Sequence, residues 1–587
     1  MARGNYQPVY WPEILGLNET RDPSNMLPNE LVESLNDAGR DSANGTRPGF
    51  NFTPELNPDY TAAIAGTPGV QSMTEFSRDP NFLREFLLVI ADGNVYKDSA
   101  SAALDKATNS VQLTTGDDFR WTFATFQDKI FACGGDAVAD VSPAADSFWY
   151  WDGTGAGSGV LTGTITLENL SGVLGTHRPP RYCLHKWGRV YVAGMDPVSA
   201  DRDASYNRMC VRYHDIGQNP VTSSAIAWPP ENTIGSGENV GDGGGLADYG
   251  DQFITGLGEY TDPSGDWLMI GTNRSMLSVT RTPDAGHFVD ATLATGLVHQ
   301  NAFVNLGVDG GDAVFMSDRG IHSVLQSRRF GAKEDTFLSW KIRDTFESLS
   351  RERLPFTTGA YDPREGYITF LVSRGGLLQD TILCLDTQGQ ESRTGRLDLT
   401  AETARWHIWE IAAGVSPNIV KVLRGPEGKP RLYMGTLGGE VGHMNRAAYA
   451  DFDNGYPCRF QTAHTHLARP DVEKVWGDIW VDVQPGGNYQ PTMQRIVNYG
   501  QDVLDALPLD MPADVAGSLL DGVDLLDSTF LLKGADVETF ALHEYERGRG
   551  TTGSLRFEHS GKDEPFFIAN LSQEVGGLGD AGDTSTA

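Results

Sequence analysis

A chain of 587 residues is too long for one compact core, and its length suggests either three or four units or one large repeat domain with a smaller one appended. With 68 glycines, 30 prolines and 39% hydrophobic residues, the composition favours many short strands joined by turns, because Gly and Pro punctuate strands and weaken helix interiors. The 46 basic and 78 acidic residues give a formal charge of −32 with no Lys/Arg block, which argues against a surface that grips nucleic acid.

The five cysteines (Cys133, Cys183, Cys210, Cys384, Cys458) are widely spaced and lack a C-x-x-C pair, so they read as reduced, mostly buried thiols. The opening MARGNYQPVYWPEI has no apolar core of a signal peptide, and no run approaches the roughly 18 apolar residues of a membrane span. No membrane insertion is expected, and synthesis in a cytoplasm follows.

Residues 1–55 are rich in Asn, Pro and Asp and read as an extended N-terminal arm with one short helix over Pro28–Arg40, where Leu31, Leu35 and Ala38 fall at helical spacing. From about residue 80, β-rich runs alternate with tight turns. Asp92-Gly93 is a strong hairpin signal. Further turns read at Asp128-Lys129, Trp187-Gly188, Gly250, Gly310-Gly311, Gly366 and Pro426–Gly428, with second turns at Arg319-Gly320 and Gly438-Gly439. From Asp128 onward the main turns recur every 55 to 62 residues, a period suited to a propeller blade with a long outer loop. The expectation is mainly β: a six- or seven-bladed β-propeller-like domain over residues 56–450. Period-2 alternation in CRFQTAHTHL, VWGDIWVDVQPG, GSLRFEHS and EPFFIANLSQEV then predicts a C-terminal β-sandwich-like domain over 451–577, with an acidic insertion near 500–535. Residues 578–587 read as a flexible tail.

Signals for chemistry are sparse. G-x-S-x-G, H-E-x-x-H and the P-loop pattern are missing from the sequence. Two G-x-G-x-x-G matches, Gly548–Gly553 and Gly577–Gly582, lack the strand before and helix after that dinucleotide binding needs, and read as chance in a Gly-rich chain. His464 and His466 would share one face of a strand, but spacing suggests no third metal ligand. Ser317–Ser323 (SDRGIHS) departs from a sialidase Asp-box and reads as a turn. Asp196, Asp201 and Asp203, and Asp521, Asp524 and Asp527, lack the Gly and Glu of an EF-hand and read as solvated loops. Phe148–Gly153 (FWYWDG) suits packing between sheets better than sugar stacking. Neither catalytic, cofactor nor metal residues are assigned, and no enzymatic activity is expected.

Several segments together resemble the β-propeller tail proteins of short-tailed and related phages, called tail hub, nozzle, tail tube B or phage stabilisation protein. They are Gly16–Phe50 with its Arg47-Pro48-Gly49-Phe50 ending, Arg178–Gly194, Ile226–Asn232, Asp312–Val324, Ala404–Ile411 and Arg547–Val575. The resemblance spans nearly the whole chain except the acidic insertion. It implies a structural virion protein, a homohexamer forming a ring of the viral tail below the portal and the head-to-tail adaptor protein. Such a ring would provide the DNA-ejection channel, passing the genome without specific binding, and attachment points for tail fibre, spike or needle proteins. A receptor- or carbohydrate-binding tail adhesin is the alternative.

Overall fold

The computed structural model describes residues 7–577 except for internal stretches, the longest being 53–68, 107–117, 137–147, 162–179, 195–210, 217–232, 235–251 and 510–539. The protein is mainly β. Seven antiparallel sheets follow one another along the chain, each opened by a strand that we label β1 (Val70–Phe76), β2 (Phe119–Phe126), β3 (Tyr182–Lys186), β4 (Ile254–Asp262), β5 (Phe303–Asn305), β6 (Thr358–Asp362) and β7 (Pro417–Arg424). Each opening strand lies against the next, and β7 lies against β1. The seven sheets therefore form a closed circle.

The alternation of side chains along a strand explains the closure. In the first sheet Leu88 and Ile90 point towards the second sheet, where they meet Trp121, Ile130 and Trp149, while Leu87 and Val89 point the other way to Ile419 and Tyr433 of the seventh. The second sheet repeats the device: Ile130 and Ala132 face the first sheet, Phe131 and Cys133 the third. Four further shared cores complete the circle, so FLLVIA and similar runs are buried on both faces.

An opening strand has one edge free of ladder partners, and side chains of neighbouring sheets bond to several of these edges. Thr122 Oγ1 accepts from the Cys183 amide at 3.1 Å, Thr358 Oγ1 from Val420 at 3.0 Å, and Gln300 Oε1 from Leu257 at 3.1 Å. Asn418 Nδ2 donates to the Val70 carbonyl at 2.7 Å. Edges satisfied this way cannot recruit a stray strand.

The last sheet takes its fourth strand from the N-terminal region. Gly49–Phe52 pairs antiparallel with Val441–Asn445. Two further sheets, five-stranded and seven-stranded, enclose a shared core of residues that include Leu31, Phe460, Val481, Met493, Leu555, Phe557, Phe566 and Leu571. Four of their strands are N-terminal: Gln7–Trp11, Leu31–Leu35, Asp37–Arg40 and Ala43–Thr46.

The N-terminal region is therefore not a separate arm, and the expected helix over Pro28–Arg40 is replaced by two strands. The sequence pattern misleads for a physical reason. A register shift between Leu31 and Glu33 breaks the period of two, so burial falls on Leu31 and Ser34, and Asn36 then turns the chain at φ 54°. The turn expected at Asp128-Lys129 sits one residue earlier, at Gln127-Asp128, both with positive φ as a two-residue hairpin turn requires. Gly250 lies outside the described residues, and the first hairpin of the fourth sheet instead turns between Asp262 and Gly265. The turn expected at Asp92-Gly93 falls between Phe86–Ala91 and Asn94–Ser99, the second and third strands of the first sheet. Part of the expected acidic insertion, Asp502–Pro508, is an exposed strand paired with Thr492–Val497, while residues 510–539 and the tail 578–587 lie outside the described residues.

Candidate functional site

Three places concentrate polar chemistry. The first is the Arg47-Pro48-Gly49-Phe50 turn, which joins the two-sheet body to the circle. Arg47 and Asp451 are fully buried and form a two-pronged ion pair, Nη1 to Oδ1 at 3.0 Å and Nη2 to Oδ2 at 2.5 Å. The remaining Arg47 donors reach Asn36 Oδ1 at 2.9 Å, the Pro48 carbonyl at 2.9 Å and the Glu410 carbonyl at 3.1 Å, and its guanidinium lies 3.8 Å from the centre of the Tyr456 ring. Asp451 also accepts the amides of Phe50 at 3.2 Å and Ala412 at 3.1 Å. Each residue of the turn has a distinct duty. Gly49 is required because a Cβ there would stand 2.1 Å from the Ala450 carbonyl oxygen, and Phe50 fills the core between the sixth and seventh sheets.

Beside it, Asp37 accepts from the hydroxyl of Ser34 and contacts His407 Nδ1 at 3.2 Å. Burial pushes the His407 imidazole down, but the Asp37 carboxylate outweighs it and holds the group above its ordinary value.

The second place is a cavity of about 220 Å³ at the centre of the circle, walled by β2, β3, β4, β6, β7 and the residues around β5. Apolar walls come from Phe123, Leu257, Phe303 and Ile419, and polar groups from Thr122, Glu259, Gln300, Asn301, Asn305 and Lys421. Glu259 is engaged by Asn305 Nδ2 at 2.9 Å and Lys186 Nζ at 3.5 Å. One carboxylate does not make the facing acid pair on which most glycoside hydrolysis depends.

A third place, a cavity of about 390 Å³, lies on a helical excursion between the fifth and sixth sheets. Helix α1 (Val324–Phe330) starts where the Ser323 hydroxyl accepts from Gln326 at 3.0 Å and Asp312 accepts from Leu325 at 3.0 Å; after short 3-10 turns comes α2 (Arg343–Glu347). Arg319, Arg343 and Arg351 surround Phe337, Trp340 and Phe346 there, with Arg343 bound to Glu347 at 2.7 Å and lying 5.5 Å from the Trp340 ring centre. Sequence reasoning missed this excursion, because its helices are five and seven residues long and carry no sustained period.

The residues singled out by sequence are mostly packing groups. Ser317 Oγ stands 2.7 Å from His322 Nε2, a spacing known from nucleophile–base pairs, yet Ser317 is fully buried and its oxygen takes the amides of Arg319 and Gly320 at 3.0 and 3.1 Å. It braces a turn. His464 is buried beside Gln461, Ser554 and Tyr499, and no group of three metal-ligating residues occurs among the described residues. Phe148, Trp149 and Trp151 of the FWYWDG run pack inside the second sheet's cores. Gly548–Gly550 and Gly553–His559 are strands, so the first glycine motif opens no helix; Gly577 ends a strand and the rest of the second motif lies outside the described residues. The two Asp groupings and Cys210 also lie outside them, and the other four cysteines are buried and unpaired in disulfides.

Buried histidines are frequent. Burial lowers His214, His287 and His464 to about 4, and His299 and His322 to about 3. Such a group stays neutral in the fold while the unfolded chain takes up a proton, so its contribution is intact above pH about 6.5 and is lost as pH falls towards the folded value. The expected cost at pH 5 is about 2 kcal/mol for each. Asp312 and Asp362, raised to about 6 by burial, act in the opposite sense and offset part of it. Urea unfolding at pH 7 and pH 5 should show a net loss of several kcal/mol on acidification; an unchanged midpoint would contradict these assignments.

These features define a mainly β protein with half-open, polar-lined cavities. No family model and no curated protein matches the chain. Among solved structures it is similar to an exo-beta-1,3-galactanase from Phanerochaete chrysosporium, crystallised with galactose, at a TM-score of 0.22 and 8% identity, over 67% of this chain and 94% of that one. A similarity of that size supports no argument about activity. No helix among the described residues is long and apolar enough to cross a membrane.

Proposed function

We propose that the chain is a structural subunit of a tailed-phage virion, a seven-bladed β-propeller fused to a β-sandwich, assembling as a six-fold ring below the portal and adaptor. The observation that carries this reading is the N-terminal segment, residues 16–52. It is stitched into both the two-sheet body and the seventh sheet and pinned by the buried Arg47–Asp451 pair, giving one rigid block suited to bearing load. The net charge of −32 fits a lumen that sheds DNA during ejection. In this reading the cationic, aromatic cavity at α2 is an attachment point for an acidic segment of a fibre, spike or needle protein.

The same cavity favours a second reading, a tail adhesin that takes an acidic sugar between guanidinium groups and Trp340. Sedimentation of the purified chain with portal–adaptor particles, and with host-cell polysaccharide, separates the two. The first reading expects co-sedimentation with the particles alone; binding only to polysaccharide would replace it with the second.

A further inference from the structure

We propose that the central cavity is a binding site for a small oxyanion, a carboxylate or inorganic phosphate, held by Lys421 and Asn301. Lys421 leaves β7 and reaches the wall formed by β2, where its ammonium lies 5.2 Å from the centre of the Phe123 ring. It makes no ion pair or hydrogen bond with a described residue, and the carboxylate nearest in charge, Glu75, is engaged by Arg424. The Nδ2 of Asn301, buried at the same cavity, also meets no acceptor among the described residues.

A buried donor without an acceptor is costly, and the Asn301 amide together with the half-buried, unpaired Lys421 ammonium in one half-open cavity calls for something that supplies acceptors. Glu259 bonds to neither of them; its oxygens take Asn305 and Lys186 instead. The space of about 220 Å³ has room for roughly seven waters or one small organic acid. Its walls of Phe123, Leu257 and Phe303 exclude bulk solvent on those sides and strengthen a charge-assisted contact. Burial also pulls the Lys421 ammonium down to about 8, which makes the site titratable just above neutrality. An anion would be held while Lys421 is protonated and released as pH rises through that value.

The full chain, titrated at low ionic strength and pH 7 with phosphate and separately with malonate, should bind at least one of them saturably with one site per chain. Comparing the two identifies whether an inorganic or a carbon-based anion is preferred. Lys421→Met keeps the stem against Phe123 and removes the charge, and should weaken binding about tenfold or more. Asn301→Leu provides an independent reduction should the first variant fail to fold. Affinity for the wild-type chain should fall about tenfold per pH unit above pH 8. No saturable binding of either probe at millimolar concentration, equal binding by both variants, or an affinity indifferent to pH would each overturn the assignment.

Discussion

Replacing Asp451 with alanine should lower the free energy of unfolding by about 3–5 kcal/mol, because it strands a fully buried guanidinium. The loss extends beyond one ion pair. Asp451 also holds the amides of Phe50 and Ala412, so the substitution unties the N-terminal segment from the seventh sheet and from the loop after the sixth. Arg47→Met should cost a similar amount by leaving the carboxylate alone. The double variant Arg47→Met with Asp451→Leu should recover much of either loss, since two apolar groups of similar bulk need no counter-charge. Denaturant midpoints of the four proteins make the cycle; strictly additive losses would mean that the pair is not coupled.

Removing residues 1–52 should have a larger effect, abolishing the folded state. Leu31–Leu35 covers one edge of the five-stranded sheet, Ala43–Thr46 bonds to Phe567–Gly577, and Gly49–Phe52 is the outer strand of the seventh sheet. Without them three sheets present bare strand edges, and Leu31 and Phe50 leave the cores they fill. The truncated chain should be insoluble or aggregated where the full chain is soluble. A monodisperse truncated protein with unchanged circular dichroism would contradict this. Adding the missing segment as a separate peptide should restore little, because the association entropy saved by a continuous chain is lost.

The strands were legible where burial is regular. Runs such as Phe86–Ala91, followed by Asp92-Gly93, and Tyr367–Val372, preceded by Gly366, announced both the element and its turn. Reading failed where a local irregularity imitates another period, as the bulge at Leu31–Glu33 does for a helix. It also slipped by one residue where a hairpin turn lacks glycine, at Gln127-Asp128. The expected turn at Trp187-Gly188 is present: Trp187 adopts φ 49° although its side chain disfavours it, and its indole N–H is fixed by Asp266 at 2.7 Å.

The candidate sites were much less legible, for reasons of distance along the chain. Arg47 and Asp451 are 404 residues apart, and Asn301, in the turn before β5, and Lys421, on β7, meet at the cavity in the centre of the circle. A single sequence carries no mark of such partners. The Arg-Pro-Gly-Phe motif was visible as a pattern, but its physical content, a buried cation, a tight approach and a core aromatic, required the fold.

Electron imaging of the purified full-length chain is the most direct measurement of whether this rigid block is built to assemble around a passage. The account predicts closed six-fold rings with an open centre, each subunit resolved as a disc with a smaller body attached. Dispersed single molecules at every concentration tried, with no tendency to close into rings, would contradict it.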